Sequence, residues 1–91
     1  MVGEEFVVVM PGTDPADAMA VAERLRSAVE SAVVTTPEGQ TVHVTISVGV
    51  GCSIAERLTP EALLHRADTA LYQAKRGGRN RVEVALPPAS T

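Results

Sequence analysis

The stretch from Thr59 to Val82, TPEALLHRADTALYQAKRGGRNRV, has both ends of a helix written into it. Thr59 offers a side-chain oxygen to cap the first turn, and Pro60 follows at the first helical position, where a missing N–H costs nothing. Leu63, Leu64, Ala67, Ala70, Leu71 and Ala74 then recur at helical spacing and form one apolar stripe. Gly77 and Gly78 end it, because glycine accepts the left-handed backbone in which helices commonly stop. The pattern predicts a helix from Pro60 to Arg76, and RVEVAL after the glycines reads as a short last strand.

Upstream of this helix, Val42, Val44, Ile46, Val48 and Val50 alternate with His43, Thr45, Ser47 and Gly49. That alternation predicts a strand with one strongly apolar face. TTPEGQT before it is turn chemistry. Further back, Asp14 and Pro15 repeat the cap-then-proline signal, and Ala18, Val21, Ala22, Leu25, Ala28, Val29, Ala32 and Val33 predict a first amphipathic helix. The run from Glu5 to Met10 is valine-rich, is closed by Pro11-Gly12, and predicts a strand buried on both faces. The expected class is α/β with element order β-α-β-α-β, and neither a repeat nor a linker interrupts it. Residues 1–86 read as one domain, with residues 87–91, PPAST, as a disordered tail.

A chain of 91 residues supports one small domain with a modest core, so its stability is marginal from the outset. With one Phe, one Tyr and no Trp, the core must be aliphatic. The net charge of −3 excludes a molecule-wide attraction to nucleic acid or to an anionic membrane. No run of about twenty apolar residues is present, so no membrane contact by this segment is expected. Cys52 is the only cysteine, which rules out an intrachain disulfide and suits a reducing cytoplasm. His43 and His65 have no second His or Cys at ligand spacing, and Asp68 and Tyr72 are read as a structural pair on one helix face. Cys52 reads as a small hydrophobe.

Two polar clusters remain. Glu4 and Glu5 follow Gly3 directly against the first strand. Side chains alternate across a strand, so at most one of the two acids can serve a given ligand. A carboxylate on a rigid strand edge suits Mg²⁺ bound to phosphates, and two acids at a strand end are equally compatible with plain solvation. The second cluster is AKRGGRNR, where Lys75, Arg76, Arg79 and Arg81 crowd the carboxyl end of the second helix. Cations there are favoured by the helix dipole without any ligand. Alternatively, the Gly77-Gly78 turn lets Lys75 and Arg79 converge on one anion, lysine as a point charge and arginine as a fork. A nucleic-acid role is disfavoured, because no aromatics interleave the arginines.

Taken together, GEEF before a valine-rich strand, VTISVGV, and ADTALYQAKRGGRNRV resemble the GGDEF domain of diguanylate cyclases in its GGEEF form. The last block is the most specific, and the three stand in the family's order and spacing. The resemblance implies a palm-like α/β domain that binds GTP with Mg²⁺ (or Mn²⁺) and joins two GTP molecules into cyclic di-GMP when a second GGDEF domain meets it as a homodimer. Carried over by position, it implies Glu4 as a catalytic metal ligand and Gly3 as the glycine that lets nucleotide approach. Glu5 lies near the nucleotide, and Lys75 and Arg79 contact the triphosphate.

Two departures accompany the resemblance. Val2 stands where the family has its first motif glycine. The family's amino-terminal half, with a metal-binding aspartate and guanine-reading residues, has no counterpart here, and Asp14, Asp17 and Asp68 all fall on predicted helices. That half also includes a strand expected between the first strand and the strand around Val42 to Val50. Without it, either a second copy covers the exposed strands or the sheet pairs them directly. The isolated segment is therefore expected to be inactive, and a degenerate GGDEF domain acting as a nucleotide-binding or protein-interaction module is the alternative.

Overall fold

Capping chemistry sets both helices where the sequence predicts them. The computed structural model describes residues 2–54 and 57–85, and the tail predicted at residues 87–91 lies outside the described residues. The elements run β1 (Val2–Pro11), α1 (Pro15–Ser31), β2 (Val34–Thr35), β3 (Thr41–Val42), β4 (Val44–Ser53), α2 (Pro60–Arg76) and β5 (Val82–Val84). The Asp14 carboxylate accepts from the Asp17 N–H at 2.8 Å to open α1. Thr59 Oγ1 accepts from the Ala62 N–H at 3.1 Å to open α2. The β-α-β-α-β order holds, with one addition: the TTPEGQT turn joins β2 and β3 as a small antiparallel hairpin.

The main sheet has the order β1-β4-β5 and is parallel throughout. β1 and β4 pair over ten residues, from Val2 opposite Val44 to Pro11 opposite Ser53. Of the two arrangements open to a sheet without the intervening strand, direct pairing is the one adopted. α1 covers one face, where Ala18 and Ala22 pack on Ile46, Val48, Val50, Cys52 and Val82. Cys52 is thus core, as its reading as a small hydrophobe expects. α2 covers the other face with Leu63, Ala67, Ala70 and Ala74.

The apolar face predicted for β4 packs under α1, and its other face is buried too, because α2 lies directly on its Thr45, Ser47, Gly49 and Gly51 side. A Cβ at Gly49 would overlap the backbone of Ala67 and Leu71, and one at Gly51 would overlap the Leu63 carbonyl. The glycines therefore mark close helix approach, not a solvated face. β1, expected to be buried on both faces, is instead a sheet edge, and Phe6 is 50% exposed. Among the described residues it pairs with β4 alone, and Val8 and Met10 are its residues packed against the α1 core. Finally, Val21 and Leu25 are exposed, so the apolar stripe of α1 is wider than the face it buries. Among the described residues no helix is long and apolar enough to cross a membrane.

Candidate functional site

Regular alternation along β1 separates the two glutamates. Glu4 is the register partner of Ile46, and Val8 and Met10, on the same side of the strand, pack on the α1 core. Glu5 is the partner of Ser47 and faces the α2 side. Uninterrupted pairing from Val2 onward leaves no bulge that would bring both acids to one face.

The α2 terminus supplies the opposing charges. Gly77 N–H donates to Gln73 O at 2.9 Å, Gly78 takes φ +114°, and Arg79 N–H returns to Ala74 O at 3.0 Å. Arg79 and Asn80 follow at φ 64° and 47°, both left-handed, a conformation asparagine tolerates far better than arginine does. The loop is then pinned to the sheet. Asn80 N–H donates to Ser47 Oγ at 3.1 Å, and Val48 N–H donates to Arg81 O at 2.9 Å. Because Ser47 is also the partner of Glu5, the loop and Glu5 meet on one row of the sheet.

Lys75 and Arg79 converge there, as one sequence reading anticipates, and the anion they meet is the Glu5 carboxylate. Arg79 Nη1 donates to Oε2 at 2.8 Å, and Lys75 Nζ lies 3.4 Å from Oε1. Arg76 is directed elsewhere and stacks over the Tyr72 ring at 5.7 Å. Tyr72 thereby partners Arg76, while Asp68 is exposed. The Arg79 hydrogen bond, assisted by Lys75, holds the Glu5 carboxyl below the usual carboxylate range.

A second polar network braces the same loop. Arg26 donates to Glu23 Oε2 at 3.0 Å, Glu30 Oε1 at 3.1 Å and Asn80 Oδ1 at 2.9 Å, and Asn80 Nδ2 donates to Glu30 Oε2 at 2.6 Å. Hydrogen bonds from Arg26 to Glu23, and from Asn80 and then Arg26 to Glu30, lower both carboxyls. These residues, with Arg79, Arg81 and Val82, line an open groove of about 510 Å³. Sequence reasoning missed the network. Its helical half is legible as Glu23, Arg26 and Glu30 at i, i+3 and i, i+4 spacing, but the link to Asn80 spans 54 positions.

Of the residues the sequence singles out, Glu5, Lys75 and Arg79 are brought together, and Glu4 is on the opposite face. Gly3 is on β1 with room beside it, since a Cβ there would meet only Thr45 Oγ1 at 3.8 Å. Among the described residues no three His, Cys, Asp or Glu side chains are grouped to hold a metal ion. Glu5 is already neutralised by two cations, so these residues do not by themselves fit a divalent-cation site.

Comparison with known proteins matches residues 1–81 to the family model described as "Diguanylate cyclase, GGDEF domain". The Response regulator PleD of Caulobacter vibrioides is 53% identical over 81 residues, covering 88% of this chain. Diguanylate cyclase A of Treponema denticola is 42% identical over 90 residues, covering 96% of this chain. The Probable diguanylate cyclase DgcF of Escherichia coli K12 is 41% identical over 85 residues, covering 89%. The chain spans 18%, 24% and 27% of the lengths of these three relatives, respectively.

Proposed function

The chain belongs to the GGDEF family of diguanylate cyclase domains, and from that premise we propose that it forms the carboxyl-terminal part of a domain that condenses two GTP molecules into cyclic di-GMP. In this reading two such domains face each other as a homodimer in the cytoplasm, each presenting one GTP. The 3′-hydroxyl of one GTP attacks the α-phosphate of the other, and pyrophosphate leaves. Lys75 and Arg79 hold phosphate oxygens and offset their charge, and Gly3 leaves room for the nucleotide to approach the strand.

One observation carries the reading. Two cations four positions apart, with a glycine turn between them, converge on a single pair of oxygens. A carboxylate offers those oxygens much as a phosphoryl group offers two of its own, and mixed Lys and Arg coordination suits phosphate. Glu4 would offer one carboxylate oxygen donor to a Mg²⁺ or Mn²⁺ ion, which would supply charge neutralisation at the phosphates. With this incomplete donor set, the 91-residue chain alone is expected to form no cyclic di-GMP from GTP and Mg²⁺.

The position of Glu4, across the sheet from Lys75 and Arg79, together with Val2 in place of a motif glycine, favours a second reading. In it the domain is degenerate and binds nucleotide or a protein partner without turnover. Glu4→Gln in a complete domain containing these residues separates the two, because it keeps the side chain's shape and removes its charge. The cyclase reading expects cyclic di-GMP formation from GTP to be abolished while the circular dichroism spectrum is unchanged. Near-normal synthesis in the variant would remove Glu4 from the site, and no synthesis in the unmodified domain would favour the regulatory module.

A further inference from the structure

Lys75 and Arg79 are not waiting empty-handed: each has one oxygen of the same carboxylate, Oε1 for Lys75 and Oε2 for Arg79. The acid comes from the far end of the chain, and its place is fixed by sheet register. Glu5 is opposite Ser47, and Ser47 Oγ accepts from the backbone of Asn80, the residue after Arg79. Three anchors therefore bring Glu5 under the two cations: the β1–β4 ladder, the Ser47 bond, and the left-handed turn at Arg79 and Asn80.

We infer that Glu5 is an internal competitor for the Lys75–Arg79 anion site, occupying the place of a phosphate's oxygens so that a phosphate-bearing ligand must displace it. This rests on the reading that Lys75 and Arg79 hold phosphate, and it gives Glu5 a specificity-determining role that neither motif position nor fold assigns. The side chains of Glu5, Lys75 and Arg79 retain 37%, 35% and 57% of their exposure. Partly solvated ion pairs are weak, so the contact yields to a stronger anion and does not block the site. Displacement then selects by charge. A monovalent anion gains no more from the two cations than Glu5 already provides, whereas pyrophosphate brings more charge and more oxygens. Glu5 thereby tunes the site toward polyphosphates.

The test is calorimetric titration of inorganic pyrophosphate into the 91-residue chain, its Glu5→Gln variant, and an Asp68→Asn variant that removes the same charge from an exposed position on α2. The inference expects Glu5→Gln to bind pyrophosphate about five- to tenfold more tightly than the unmodified chain, the scale set by two surface ion pairs. Asp68→Asn stays within about twofold of the unmodified chain, as expected for a distant, screened charge. In Glu5→Gln the added substitution Lys75→Ala removes the gain. Equal affinity in Glu5→Gln and the unmodified chain, or an equal gain in Asp68→Asn, overturns the inference and leaves the phosphate reading standing. No binding in any of these proteins overturns both.

A measurement on the unmodified chain needs no variant to fold. In a pyrophosphate titration followed by NMR, the Arg79 Nε–H and the Glu5 side-chain carbons should shift with one common midpoint. Movement of Arg79 with Glu5 unmoved would overturn the inference.

Discussion

Asn80 concentrates more structure than its size suggests. Its backbone anchors the loop to Ser47, its side chain joins Arg26 to Glu30, and its φ of 47° is one that asparagine accepts and alanine resists. Asn80→Ala should cost about 1 kcal/mol from the backbone alone, and Asn80→Gly should recover that part. Urea unfolding of the two variants checks this, and equal loss in both would mean the backbone conformation is not the issue. Glu5, Glu23 and Glu30 carry a pH dependence of definite sign. All three are held below their ordinary value of 4.5, chiefly by hydrogen bonds from Arg79, Arg26 and Asn80 respectively. A depressed folded-state value stabilises the fold above the unfolded value, and this contribution is lost as the pH falls through the folded one. The urea midpoint should therefore hold from about pH 7 to about pH 5 and decline below about pH 4.5, and a flat profile down to about pH 3 would contradict these pairings. The convergence of Lys75 and Arg79 is legible in the sequence as one of two possibilities, because a glycine turn and a fixed spacing are local facts. That Glu5 completes the cluster is not legible, since it follows from a parallel register between strands far apart in the chain.

At the scale of elements, α2 is almost wholly readable, because its cap, proline, stripe and glycine stop are all local signals. β1 is the opposite case. Its apolar run looks like an interior strand, yet whether a strand is interior depends on which neighbours flank it, and here it is an edge. Gly49 and Gly51 are readable as strand positions but not as the contact surface for α2. Gly49→Ala should destabilise the chain by about 3 kcal/mol, the upper part of the usual overpacking cost, since the added Cβ meets helix backbone that cannot turn aside. Gly3→Ala, with its open surroundings, should leave the thermal midpoint within a degree or two, as surface changes away from special features do. Any loss of GTP binding in Gly3→Ala would then report on ligand approach rather than folding. A Gly49→Ala protein as stable as the parent would contradict the close packing of α2 on β4.

At the scale of the whole molecule, the sheet joins β1 and β4 directly and leaves the outer side of β1 as an apolar edge, with Phe6, Val7 and Val9 exposed. Such an edge pairs readily with another copy. Light scattering at micromolar concentration should show association, and Val9→Lys should reduce it; a strictly monomeric parent chain would contradict the prediction. The central claim is that Lys75 and Arg79 hold the phosphates of GTP, and steady-state kinetics of cyclic di-GMP formation by a complete domain carrying this segment tests it most directly. Lys75→Ala with Arg79→Ala should lower kcat/KM for GTP at least about a hundredfold, the scale expected for two charge-assisted contacts to phosphate. Arg76→Ala, which removes an equal charge that stacks on Tyr72 instead, should leave it within about twofold, as expected of an exposed surface residue. Unchanged kinetics in the double variant, or an equal loss in Arg76→Ala, would contradict the claim.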